Sequence, residues 1–228
     1  MAEPSGVHHI ALMTNDMKGQ IEFFSDVLGM PLVGLFDMHG VPGAWHGFLK
    51  LNDTCYLALC MVPGVESVTS TVGITHAGNG AGVSAPGTLQ HLAFKVNTEA
   101  ELLALRDRIR SRGVNVFGPI NHGMCQSIYF AGPEGLALEA AWSAEAVDGA
   151  SWVDPAVCSA AGITADDMQR FMNPPAFAPT DQPVAQPPID PAKPHLVYAA
   201  DEYQRMVATP DDIITKYASY PDPPVKKA

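Results

Sequence analysis

Apolar and polar residues alternate with period two from Val7 to Thr14, which predicts a β-strand. From Lys18 the period lengthens. Ile21, Phe23, Phe24, Val27 and Leu28 then share one helical face, and Gly29 supplies a stop signal. "MPLVGLFDM", "AWHGFLKL" and "TCYLALCM" follow as three short strands, parted by turn residues at His39–Gly43 and Asn52–Asp53. The same order, β-α-β-β-β, is then written a second time. "LQHLAFKV" is a strand, and "TEAELLALRDRIRSRG" is a helix with Thr98 as cap, Glu101 three residues later and Gly113 at its end. "VNVFGPI", "MCQSIYFA" and "GLALEAAW" are three more strands. The chain therefore carries an internal repeat, and an α+β fold of two βαβββ modules is expected. Module one spans residues 7–62, a linker loop 63–87, and module two 88–142, so the domain occupies 1–142.

The linker contains "GITHAGNGAG". Its Gly78-x-Gly80 lacks the final glycine of a nucleotide loop and does not join a strand to a helix, so a loop covering a substrate is the better reading. Beyond Trp142 the pattern breaks. Residues 143–228 hold 13 of the 20 prolines and 12 acidic against 6 basic residues. Two helices fit inside this extension: "ADDMQRFM", with Thr164 and Asp167 as its cap, and "PDDIITKYASY", started by Thr209–Pro210 and Asp212. "NPPAFAPTDQPVAQPPIDPAKP" is too rich in proline for helix or sheet. The extension is expected to be an arm with short helices that wraps the domain or a second subunit.

Composition narrows the function classes. With 47% hydrophobic and 16% charged residues the chain can bury a sizeable core, yet no run of about 18 apolar residues exists to span a membrane. A net charge of −11 without a Lys/Arg stripe excludes nucleic acid as a partner. Cys55, Cys60, Cys125 and Cys158 show no CxxC spacing, which disfavours a zinc knuckle or a disulfide framework. "MAEPSGVHHIAL" lacks the features of a secretory signal, so a cytoplasmic location is expected.

Alternation also orients the polar residues inside the strands. His9 shares a face with Val7, Ala11 and Met13, whereas His8 goes with Ile10 and Leu12 and is expected under the helix layer. His91 shares a face with Ala93 and Lys95, opposite Leu92 and Phe94. In the last strand Glu139 lies between Ala137 and Ala141, opposite Leu136, Leu138 and Trp142. Taken singly, a strand histidine is a pocket residue and a strand-end glutamate is solvated. Three such residues in one phase, on equivalent strands of a repeat, make the 2-His-1-carboxylate set, which suits Fe(II) in oxygenases, with Mn(II) as the alternative.

At this point the chain resembles the vicinal oxygen chelate superfamily, which includes glyoxalase I, fosfomycin-resistance enzymes and type I extradiol dioxygenases. The resemblance covers Val7–Trp142 and rests on "HHIAL", "QHLAF" and "GLALEAAW". It implies curled mixed sheets around a metal held by His9, His91 and Glu139. Glyoxalase-type members add an acid from the last strand of module one, but "TCYLALCM" has none. "INHGMCQSIYFAGPEGLALE" further resembles the extradiol dioxygenase signature, with Gly132 as its one departure. By that resemblance Tyr129 donates to a substrate oxygen and His122 positions substrate or transfers a proton. An acid/base role for His8 is implied by some ring-cleaving relatives, and His39, His46 and His76 are candidates for the pocket mouth. The expected activity is Fe(II)-dependent ring cleavage of a catechol-like substrate by O2, in aromatic catabolism, by a homo-oligomer with the arm at an interface. The alternatives are a metal-dependent isomerase, epimerase or lyase, and a metal-free binder of small ligands.

Overall fold

In the computed structural model, which describes residues 3–226, both copies of the repeat build the same sheet. Module one consists of β1 (His9–Met13), α1 (Met17–Glu22), β2 (Leu32–Asp37), β3 (Trp45–Lys50) and β4 (Tyr56–Met61). Module two consists of β5 (Leu92–Lys95), α2 (Glu99–Ser111), β6 (Val116–Asn121), β7 (Gln126–Ala131) and β8 (Ala137–Trp142). Strand orders are β1-β4-β3-β2 and β5-β8-β7-β6. In each sheet the first and last strands run parallel and the other pairs antiparallel. The α+β, two-module expectation holds, as two separate four-stranded sheets and not a closed barrel.

Period two divides each sheet into a helix face and an open face. Leu12 of β1, Leu57 and Leu59 of β4, Leu92 and Phe94 of β5, and Leu138 of β8 are buried together with Phe24, Leu102 and Ile109 from the helical segments. Each such side chain contributes roughly 1.5–3 kcal/mol by leaving water. α2 forms as expected: Thr98 Oγ1 accepts from the Glu101 amide, and Glu101 Oε2 accepts from the Asn97 amide. The first helix is less regular than its periodicity. After Glu22 it widens to a π-helical turn over Phe23–Val27, which lets the adjacent Phe23 and Phe24 both pack against the core.

The modules touch on their helix sides. Phe24 meets Phe94 edge to face, with centroids 6.3 Å apart. Arg108 of α2 donates from Nε to the Val27 carbonyl at 2.8 Å and from Nη2 to that of Asp26 at 3.0 Å, supplying donors to carbonyls at the end of the first helix. A second tie is polar. Glu134, in the turn before β8, accepts from Thr14 Oγ1 (2.6 Å), the Asn15 amide (2.8 Å) and Gln20 Nε2 (2.6 Å). Its φ of 54° is left-handed, a conformation costly for a side chain other than glycine, asparagine or aspartate. Three hydrogen bonds from module one hold it there.

Residues 5–174 form one compact unit. Beyond β8 it contains α3 (Gly149–Trp152), α4 (Pro155–Ala160) and α5 (Ala165–Met172). α5 carries the expected capping box between Thr164 and Asp167. α3 and α4, not evident from periodicity, start where Asp148 and Asp154 accept from the amides of Ala150 and Ala156. The second unit comprises the described residues 3–4 and 175–226, with α6 (Ala200–Ala208) and α7 (Asp211–Tyr217). Thr209 does not cap α7: Pro210 holds that position without a side-chain bond. Residues 173–194 contain neither helix nor strand. Among the described residues no helix is long and apolar enough to cross a membrane.

Candidate metal centre

On the open face of module two the register aligns one row across the sheet: Ala93 opposite Glu139, Glu139 opposite Tyr129, and Tyr129 opposite Phe117. Glu139 is deeply placed, its side chain only 7% exposed. A carboxylate at that depth needs a partner, and His91, just before β5, provides it: Nε2 lies 3.0 Å from Glu139 Oε2. The flanking residues Ala93, Ala137 and Ala141 are small and leave room above the pair. Tyr129 continues the row, with its hydroxyl 2.9 Å from His122 Nε2. Burial, and next the negative charge of Glu139, push the Tyr129 phenol up from its ordinary pKa, so it remains a proton donor at neutral pH. His122 and Tyr129 line a cavity of about 520 Å³, together with Phe117, Ile120 and the loop Gly78–Ala81.

Whether the pair suits a metal can be tested on its own hydrogen bonds. Gln90 donates from Nε2 to the carbonyls of Asn79 (3.1 Å) and Gly82 (3.0 Å). Only the amide nitrogen can serve two carbonyls, so Oε1 faces His91, whose Nδ1 it contacts. An amide oxygen accepts only, hence Nδ1 carries the hydrogen. That leaves Nε2 facing the Glu139 carboxylate. An imidazole nitrogen and a carboxylate facing one another are a donor pair of the kind that would hold a divalent ion.

Module one presents a related face with different chemistry. His9 pairs with Tyr56 and Ala11 with Ala58, and Phe48 lies opposite Ala58. Ala58 thus holds the place that Glu139 has in module two, and Phe48 the place of Tyr129. His9 sits beside Phe48, with ring centroids 5.7 Å apart, and its Nδ1 is 2.9 Å from that of His8. His46 packs on Phe48, and burial, then the charges of His9 and His39, lower its pKa. The structure brings His91, Glu139, Tyr129 and His122 together. It does not bring His9 to them: among the described residues no group of three or more His, Cys, Asp or Glu stands ready for a metal.

His8 departs from the expectation. It is exposed and packs on Tyr56, because β1 begins only at His9 and alternation does not extend back to it. His76 lies in the linker, its Nδ1 2.9 Å from Thr75 Oγ1, and lines a different cavity of about 640 Å³, which reaches His91 where the 520 Å³ cavity does not. Sequence reasoning missed two polar residues that tie the site together, Gln90 and Glu134. Gln90's position beside His91 was the available signal; Glu134 offered none, since its partners lie more than a hundred residues away.

The profile of the Glyoxalase/Bleomycin resistance protein/Dioxygenase superfamily matches residues 6–140. No curated protein matches the chain. Similar solved structures include a glyoxylase/bleomycin resistance protein/dioxygenase domain from Frankia sp. EAN1pec (17% identity, 62% of this chain and 99% of that one, TM-score 0.48). Lactoylglutathione lyase from Agrobacterium tumefaciens is 22% identical over 66% of this chain and 98% of its own, with a TM-score of 0.43. TnmS3, an antibiotic binding protein from Streptomyces sp. CB03234, is 22% identical over 63% and 99%, also at 0.43.

Proposed function

The chain belongs to the Glyoxalase/Bleomycin resistance protein/Dioxygenase superfamily, and from that premise we propose that it is an iron(II)-dependent dioxygenase that cleaves the ring of a catechol-like substrate. The observation that carries this reading is the asymmetry of the two open faces: Glu139 in module two, Ala58 in the same place in module one. One carboxylate and two histidines are the ligand type of iron(II) oxygenases, and they leave three coordination positions for other ligands. A glyoxalase-like isomerase would be expected to use an acid where Ala58 stands.

His91 and Glu139 would hold the metal in module two, with His9 as the third donor from the module-one face of a second copy. Two features support that division. The modules of one chain meet on their helix sides, through Phe24–Phe94 and Arg108–Val27, and His9 lies apart from the His91–Glu139 pair. A two-fold dimer that apposes open faces would complete two sites at once. The homo-oligomer needs no part of residues 175–228 for this.

Iron(II), when bound, supplies the electron path between a chelating diol and O2. The protein's own residues do the rest. Tyr129, kept protonated, donates a hydrogen bond to a substrate oxygen and so orients the ring. His122, on the far side of that hydroxyl, takes or returns a proton, which an imidazole can do near neutral pH. Ala137, Phe117 and Ile120 line the cavity in which the ring would sit. A cavity of about 520 Å³ accommodates one substituted aromatic ring.

Anaerobic loading with Fe(II), followed by a panel of catechols and hydroquinones in an oxygen electrode, tests the proposal. Uptake of O2 with yellow ring-fission absorbance is expected. No uptake with any diol overturns it; turnover of a thiol adduct without O2 would assign an isomerase instead.

A further inference from the structure

We propose that Gln90 is a positioning residue that couples the loop roofing the cavity to the His91 imidazole. The inference rests on the reading of His91 as a metal ligand. A single amide makes three contacts. Its Oε1 accepts from His91 Nδ1, and its Nε2 donates to the carbonyls of Asn79 and Gly82. Those carbonyls belong to the loop Gly78–Gly82, of which Gly78–Ala81 line the same cavity as Tyr129 and His122.

The loop is tight in itself. The Gly82 amide donates to the Asn79 carbonyl at 3.1 Å and the Ala81 amide to Asn79 Oδ1 at 3.0 Å. A Cβ on Gly82 would lie 2.3 Å from the Ala77 carbonyl oxygen. Gly80 lies over the Tyr129 ring, close enough that its missing Cβ would stand 3.4 Å from the ring edge. A substrate entering beneath Gly80 must displace this loop, and Gln90 is attached to the carbonyls that move.

With Oε1 in place, Gln90 fixes the ring with Nε2 facing Glu139, the orientation in which both could hold one metal ion. When the loop opens and Gln90 follows it, His91 loses that restraint. Loop closure and metal-ligand orientation are thus one equilibrium, and coupling of this kind is reciprocal. Metal binding must therefore protect the loop.

Hydrogen exchange at the amides of Ala81 and Gly82, with and without Mn(II), together with the affinity for Mn(II), tests the coupling in the full chain without any turnover. In the wild type Mn(II) should slow exchange at both amides. In Gln90→Leu the metal-free loop should exchange faster, Mn(II) should no longer protect it, and Mn(II) affinity should fall about 10–100-fold. Gln90→Glu keeps an acceptor for His91 but no donor for the carbonyls. It should retain Mn(II) affinity and lose the loop protection. Equal protection by Mn(II) in wild type and Gln90→Leu overturns the coupling. If Mn(II) fails to bind the wild type at all, the metal reading of His91 fails, whereas a wild type that binds Mn(II) without protecting the loop fails the coupling alone.

Discussion

Ala58 and Glu139 occupy equivalent places in the two modules, each at the centre of the last strand and opposite an alanine of the first, Ala11 and Ala93. The sheet therefore accepts alanine at this place, and folding alone does not call for the carboxylate of module two. Glu139→Ala should fold with a Tm equal to or above that of the wild type, since it removes a buried carboxylate. It should lose bound iron at least about tenfold, as His91→Ala should too. Thermal melts and metal analysis of the purified variants check both statements. A Glu139→Ala protein that retains iron contradicts the assignment.

His9 and the His91–Glu139 pair are inactive apart if the site spans two copies. His9→Ala and Glu139→Ala should each be inactive alone. Co-expressed, they should recover about a quarter of wild-type activity, because half the dimers are mixed and each mixed dimer has one intact site. No recovery in isolated mixed dimers would place all three donors within one chain.

Tyr129 tests the role of the hydroxyl beside the carboxylate. Tyr129→Phe should keep the metal and reduce kcat about a hundredfold, through the loss of a positioned donor. An unchanged kcat removes Tyr129 from the mechanism.

Glu134 gathers three donors of module one into a left-handed turn of module two. Glu134→Ala leaves the buried Thr14 and Gln20 groups without their acceptor and should lower stability by about 2–4 kcal/mol. Urea unfolding monitored by Trp fluorescence provides the measure. A loss below about 0.5 kcal/mol would mean that the knot does not hold the modules together.

Much of this architecture is written locally. The repeat, the strand and helix order and the side taken by His9 and Glu139 follow from period two, because one residue of shift would turn each strand inside out. His8 was misplaced for the same reason: alternation has meaning only inside a strand, and β1 starts one residue later. α3 and α4 are each too short for periodicity, and single aspartate caps mark them. The meeting place of the three donors depends on how whole modules pack, which no local pattern encodes. Gln90 shows the same limit, since its role depends on where a loop eight to eleven residues upstream comes to rest.

Ring cleavage by dioxygenation puts both atoms of O2 into the product. Turnover of a catechol by the Fe(II)-loaded protein under ¹⁸O2, followed by mass spectrometry of the ring-fission product, should yield a product carrying two labelled oxygens, and none from Glu139→Ala. A product with the mass of the substrate and no label would rule out dioxygenation.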